Sequence, residues 1–262
     1  MNILETIVAH KREEVAIRKR QRRISALSEM EHFERQTIPF RDALRSKHPF
    51  AIIAEIKRAS PSAGMLNNNV DPQKLAREYE TNGAAAISVL TDQRFFNGTL
   101  DDLQSVRESV HLPLLRKEFI IDDYQIFEAK AYGADAILLI AAILERPQLQ
   151  ELFSAATELH LECLIELYDE SEIDKLDFDR MKLVGINNRD LKTFEVNLLH
   201  TINMAYHFPK DITLVSESGI SSANDLHKLK AVGVHAALMG ECLMKAEQPG
   251  TVLRNLLEEI AK

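Results

Sequence analysis

From residue 50 onward the chain repeats one rhythm, and that rhythm bounds its fold more tightly than any single motif. Apolar runs at 52–56, 85–90, 113–115, 136–140, 163–167, 183–186, 212–215 and 236–239 alternate with helical stretches near 72–82, 100–109, 123–132, 146–159, 170–175, 196–206, 222–231 and 250–261. Short apolar runs separated by helices read as βαβ units, whose strands pair in parallel. Three of the runs follow a glycine that ends the preceding helix, in Asn82-Gly83-Ala84, Tyr132-Gly133-Ala134 and Val232-Gly233-Val234. Glycine is the usual residue just past a helix C-terminus, and its recurrence marks a repeated unit. Eight such units in roughly 210 residues match an α/β fold, the closed (β/α)8 or TIM barrel. An open doubly wound sheet fits less well, because no G-x-G-x-x-G nucleotide turn follows any of the runs.

Residues 1–48 break the rhythm. Ile3, Leu4, Ile7, Val8, Val15 and Ile17 are spaced among Lys, Arg and Glu, which predicts a charged amphipathic helix over 2–20. A second helix is expected near 25–35 and a short third near 41–46, after Pro39-Phe40. This segment is too short and too charged to hold a core of its own. It is expected to pack as a helical extension on a catalytic barrel over 49–262, within one structural domain. A net charge of -8 argues against a nucleic-acid surface. Two cysteines, Cys163 and Cys242, are too few for a disulfide framework or a closed zinc site. The N-terminus carries no signal-peptide pattern, and no run of about 18 apolar residues occurs. The expectation is a cytoplasmic protein that needs neither membrane nor nucleic acid, monomeric or else a homodimer.

In a barrel of this kind the active site lies at the C-terminal ends of the strands. The first apolar run ends in Glu55-Ile56-Lys57, followed by Ser60-Pro61-Ser62. Residues two apart on a strand face the same way, so an acid and an amine point together. Alone, the pair reads as a strand-end salt bridge. The other ends add Thr91-Asp92 and Phe96, Lys117-Glu118-Phe119, Glu166, Asn187-Asn188-Arg189 and Ser216-Glu217. Two lysines and several carboxylates converging on one axis read as an active site. Ser218-Gly219 and Gly240-Glu241 follow the last two strands, the usual place for a phosphate cradle in this fold, where helix N-termini present backbone N–H groups. The histidines fall in helices or before strands and form no ligand cluster. No metal or redox cofactor is expected, and the chemistry falls to Lys, Glu and Asn. Two ammonium groups in one pocket lower each other's proton affinity while carboxylates oppose that, so a lysine that exchanges protons near neutral pH is expected.

These segments resemble the indole-3-glycerol-phosphate synthase family. The resemblance rests on Ile53-Ala54-Glu55-Ile56-Lys57-Arg58-Ala59-Ser60-Pro61-Ser62, Ile87-Ser88-Val89-Leu90-Thr91-Asp92 and Leu115-Arg116-Lys117-Glu118-Phe119-Ile120-Ile121-Asp122. It continues in Gly185-Ile186-Asn187-Asn188-Arg189-Asp190-Leu191, in Val215-Ser216-Glu217-Ser218-Gly219-Ile220 and in the Ile-x-x-His-Lys-Arg-Glu-Glu-Val pattern at 7–15. It implies a carbon–carbon lyase (a carboxy-lyase) of tryptophan biosynthesis. The implied reaction converts 1-(2-carboxyphenylamino)-1-deoxyribulose 5-phosphate to indole-3-glycerol phosphate, CO2 and water. By this resemblance Lys117 is the proton donor to the ketone. Lys57 binds the substrate carboxylate and is a second candidate acid for dehydration. Glu166 is the general acid/base of dehydration. Glu55 and Asn187 orient substrate and lysines, with Glu55 a candidate base. Arg189 and Glu217 complete the polar ring, Phe96 and Phe119 enclose the aromatic ring, and Ser60, Ser218, Gly219, Gly240 and Glu241 (by its backbone) contact phosphate. The chain departs from the family's usual pattern at Glu118, where Asp is usual, at Leu167-Tyr168, at Ala63 and at Thr99. None of these removes a proposed catalytic side chain.

Two alternatives compete. A sugar-phosphate isomerase of the phosphoribosylanthranilate type uses a Cys/Asp acid–base pair at its strand ends, and the first strand here offers Glu55 and Lys57 with no cysteine. A non-catalytic barrel that binds a phosphorylated ligand needs neither both lysines nor Glu166.

Overall fold

A computed structural model describes residues 3–46, 49–61, 64–67, 70–190 and 193–262. Ser62, Ala63, Leu191 and the extension boundary at His48 lie outside the described residues. Eight parallel strands close into a barrel in sequential order: β1 (Ala51–Ile56), β2 (Ala86–Leu90), β3 (Leu114–Lys117), β4 (Ala136–Ile140), β5 (Glu162–Leu167), β6 (Leu183–Asn187), β7 (Thr213–Glu217) and β8 (Ala236–Met239). Closure is direct, with Ile53 of β1 opposite both Leu238 of β8 and Ala86 of β2.

The alternation of side chains along each strand sorts the core into two layers. Ala51, Ile53, Leu115, Leu138, Leu164, Val215 and Leu238 fill the barrel interior. Ile52, Ala54, Ile87, Val89, Leu139, Ile165 and Val184 belong to the larger layer between strands and helices. Both layers are apolar, so the strands read as continuous apolar runs with no polar face. The interior layer ends upward in Glu55, Lys117, Glu166, Asn187 and Glu217, because each continues the inward parity of its strand.

The outer layer uses α4 (Pro72–Thr81), α6 (Leu100–Arg107), α7 (Tyr124–Ala131), α8 (Arg146–Glu158), α9 (Leu199–Met204), α10 (Ala223–Ala231) and α12 (Pro249–Ile260). Local chemistry starts several of them: Asp71 accepts from the Gln73 and Lys74 amides, and Thr99 and Ser222 form capping boxes with Asp102 and Asp225. Gly83, Gly133 and Gly233 take left-handed φ angles of 94°, 86° and 85° just past three helix ends.

Of the extension, α1 (Ile3–Gln21) and α3 (Phe40–Ser46) match expectation closely. Phe40 and Leu44 of α3 join the interior layer from the bottom of the barrel. The expected helix over 25–35 is corrected to α2 (Ile24–Ser28) followed by turns. The tertiary contacts explain the break. Met30 and Phe33 pack beside Phe127 and Tyr132, and Arg35 turns to reach Asp135 at 2.6 Å. Ile17, read as part of the apolar face, is 52% exposed. Two further helices are shorter or tighter than expected. The 170–175 stretch is a 3-10 helix (Glu170–Lys175). The helix expected from 196 begins only at Leu199, because Val196 pairs back on Arg189. Strands β3 and β7 run two residues further than their apolar cores, and so carry Lys117 and Glu217 on rigid backbone. No described helix is long and apolar enough to cross a membrane.

Candidate active site

The upper mouth of the barrel holds a cavity of about 660 Å³. All fourteen side chains or backbones singled out above line it: Glu55, Lys57, Ser60, Phe96, Lys117, Phe119, Glu166, Asn187, Arg189, Glu217, Ser218, Gly219, Gly240 and Glu241. Lys117 projects from the end of β3 into the space between β5 and β7. Its Nζ lies 2.8 Å from Glu166 Oε2 and 2.9 Å from Glu217 Oε2. Asn187 Nδ2 donates to the other Glu166 oxygen at 3.3 Å. Asn187 Oδ1 accepts from the Arg189 amide at 3.0 Å, which turns the chain out of β6. Lys57 and Glu55 form the strand-end ion pair, at 2.6 Å.

Burial lowers the proton affinity of Lys117, but the Glu166, Glu217 and Glu55 charges outweigh it and hold the ammonium well above the ordinary lysine range. The expected lysine that deprotonates near neutral pH is therefore corrected for Lys117: carboxylates, not a second ammonium, are its hydrogen-bonded neighbours. The group that titrates near neutrality is Glu217. Burial, then repulsion by Glu166, pushes its carboxyl up to about 8 against the pull of Lys117. Glu166 goes the other way. Burial opposes its charge, but Lys117 and the hydrogen bonds from Lys117 and Asn187 hold it below the usual carboxylate range. One ammonium thus sits between a charged and a protonated carboxyl, an arrangement that separates their acid–base roles.

Close backbone approach shapes the ring. A Cβ on Gly185 of β6 would lie 2.2 Å from Glu217 Oε1, and a Cβ on Gly240 would lie 2.2 Å from Glu55 Oε1. Gly240 therefore makes room for Glu55, a cause independent of the phosphate contact expected of it. Ser218 and Gly219 are consecutive left-handed residues, with φ angles of 68° and 72°. Asn188 fixes that turn, donating to Ser216 Oγ and to the Ser218 carbonyl, both at 3.0 Å. The α10 N-terminus contributes less to an anion site than the sequence implied. Its Ser221 and Ser222 amides already donate to the Asp225 carboxylate at 3.2 and 3.1 Å. The 218–220 turn and residues 240–241, where α11 (Glu241–Met244) begins, also line the cavity at this end.

At the opposite wall, Phe96 ends α5 (Gln93–Phe96), and its ring lies 5.9 Å from that of Phe119. Arg189 approaches Glu241 at 3.5 Å across the cradle. The sequence reading missed Lys245, which lines the cavity and pairs with Glu241 at 2.6 Å. Its spacing of four from Glu241 on a helical turn was the available signal. It also did not single out Leu4 and Ile7 of α1, which close the cavity from above, and it named Asn188 only among the strand-end residues, without its role in fixing the Ser218 turn.

Residues 4–256 match the family model described as indole-3-glycerol phosphate synthase. A protein of that name from Salinibacter ruber is 45% identical over 261 residues, covering 99% of this chain and 96% of the relative. Another from Burkholderia multivorans is 46% identical over 258 residues, covering 97% and 98%. A third from Desulfotalea psychrophila is 48% identical over 259 residues, again covering 97% and 98%. Among solved structures, tryptophan synthase subunit alpha from Legionella pneumophila superposes with a TM-score of 0.60 over 80% of this chain and 92% of that one, at 12% identity, a likeness of fold alone.

Proposed function

The chain belongs to the indole-3-glycerol phosphate synthase family, and from that premise we propose how its own side chains carry out the reaction. It is a carboxy-lyase of tryptophan biosynthesis that closes the indole ring of 1-(2-carboxyphenylamino)-1-deoxyribulose 5-phosphate with loss of CO2 and water. Lys117 faces the ketone oxygen. As the aromatic carbon bonds to the ketone carbon, negative charge grows on that oxygen, and a preplaced ammonium stabilises it. Lys117 gives up its proton when the new oxyanion outcompetes Glu166 and Glu217 for it. Lys57 holds the ring carboxylate until CO2 leaves and aromaticity returns. The former ketone oxygen then departs as water. Glu166 serves this step as general acid/base, oriented by Asn187, with Lys57 a second acid and Glu55 holding Lys57.

The phosphate sits on Ser60, Ser218, Gly219, Gly240 and the Glu241 backbone, with Arg189 beside it. Phe96 and Phe119 enclose the aromatic ring. Residues 1–48 act as an extension on the catalytic barrel, a reading favoured by Leu4 and Ile7 in the pocket wall. The enzyme works as a cytoplasmic monomer, a setting in which the unpaired Cys163 and Cys242 stay reduced.

The observation that carries the reading is Lys117, seated between Glu166 and Glu217 on the cavity floor. It also separates this reading from a phosphate-binding barrel, which has no use for a cation held so deeply. Mixing the purified protein with the carboxyphenylamino substrate and following indole fluorescence tests the function. A folded protein that gives no signal would overturn it. Lys117→Met keeps the fold and loses turnover by about 10³-fold or more, the scale of removing a main electrostatic group. Near-normal turnover in that variant would remove Lys117 from the acid's role.

A further inference from the structure

The 7–15 pattern on α1 supplies no side chain to the proposed chemistry. Ile7, Lys11 and Val15 are four apart, so they share one face, and all three are buried. Lys11 is fully enclosed. Its Nζ reaches Asp92 at 2.8 Å, Glu118 at 3.0 Å and Glu14 of its own helix at 2.8 Å. A buried lysine on an apolar face is costly unless it is paired, and here it is paired across three elements.

Both distant carboxylates hold an aromatic wall of the cavity. Asp92 Oδ1 accepts the Phe95 amide at 2.7 Å and caps α5, the turn that ends in Phe96. Glu118 Oε1 accepts the Phe119 amide at 2.8 Å, while its Oε2 accepts from Thr91 Oγ1 at 2.9 Å. One ammonium from α1 is thus ion-paired with the two carboxylates that hold the Phe95 and Phe119 amides. The same helix lays Leu4 and Ile7 over the pocket.

We propose that Lys11 is a positioning residue that seats Phe96 and Phe119 against the aromatic ring of the substrate, so that docking of α1 and shaping of the binding pocket are one event. The proposal rests on the function proposed above. Without the ammonium, Asp92 loses its cation and Glu118 keeps only the more distant Arg116, at 3.7 Å. Like charges repel, and the carboxylates move apart with the amides they hold. The proton affinities agree with the geometry. Burial lowers that of Lys11, yet Glu118, Asp92 and Glu14 together keep it above the ordinary range. Ring contacts act alike on bound substrate and transition state, so their loss raises KM more than it lowers kcat. Lys117 keeps its own partners, Glu166 and Glu217, and kcat holds.

The test is steady-state kinetics on Lys11→Met, Lys11→Arg and Val15→Ala with the carboxyphenylamino substrate. Val15→Ala loosens the same helix without touching either carboxylate. Lys11→Met is expected to raise KM about tenfold and change kcat by less than about threefold, the scale of a lost aromatic contact. Lys11→Arg recovers most of the KM, and Val15→Ala leaves it within about twofold. An unchanged KM in folded Lys11→Met overturns the proposal, as does an equal rise in Val15→Ala. Where Lys11→Met does not fold, Lys11→Gln is read the same way. If neither folds, Lys11 serves the fold alone and the proposal is overturned. A wild-type protein without turnover defeats the proposed function instead, so the two failures are distinct.

Discussion

Replacing Glu217 by Gln tests the electrostatics of the site at its least ordinary group. The folded protein binds a proton at this carboxyl up to about pH 8, against an ordinary value of 4.5. Between those values the native state holds one proton more than the unfolded chain. Stability contributed by this group is therefore full below about pH 4.5 and is lost as pH rises through about 8. A tenfold change in proton affinity is worth about 1.4 kcal/mol, so this group alone contributes at most roughly 5 kcal/mol. Lys117 and Glu166 share the same proton balance and reduce that figure. A glutamine amide has the shape of the protonated carboxyl and accepts from Lys117 in the same way, but it cannot ionise. Urea unfolding of both proteins at a series of pH values provides the assay. The variant should gain stability relative to wild type by about 1–3 kcal/mol between about pH 5.5 and 8.5. A difference that is flat with pH, or that grows toward acid, would refute the raised affinity of Glu217.

Further outcomes follow from neighbouring geometry. Gly185→Ala brings a Cβ within 2.2 Å of Glu217 Oε1. It should displace that carboxyl from Lys117, cutting kcat at least about tenfold for a stability cost of about 1–3 kcal/mol, measured by kinetics and urea unfolding. Asp135→Asn acts at the opposite end of the barrel. That carboxylate accepts from Arg35, Arg107 and the Ile38 and Leu114 amides. Loss of its charge should cost about 3–5 kcal/mol in urea unfolding and leave the kcat of the folded fraction near wild type.

Strand parity explains how much of this site could be read in advance. Apolar runs ending in Glu55, Lys117, Glu166, Asn187 and Glu217 placed each side chain on the axis, because position along a strand decides its face. The glycines after three helices were equally legible, since the left-handed turn is a local property of the backbone. Where local signals were weak, neighbours decided. The 25–35 helix stops at Ser28 because Phe33 and Arg35 gain more from α7 and Asp135 than from another helical turn. Lys11 sits in the sequence as one charge among many on α1, and only the closed barrel brings Asp92 and Glu118, which follow two different strands, to the helix that carries it.

Lys117 divides the two sources of information most clearly. Its strand, its inward face and its place at the barrel mouth are properties of the chain's own order, local and set by alternation. Its proton affinity is not, because that depends on how many carboxylates reach it across the barrel. Sequence counted two lysines among opposing carboxylates and expected a lysine that exchanges protons near neutral pH. The folded ring puts Glu166 and Glu217 on the ammonium at hydrogen-bonding distance and moves the neutral-range titration to Glu217. Charge interactions fall with distance through a medium of low polarity, so such values exist only once the distances do.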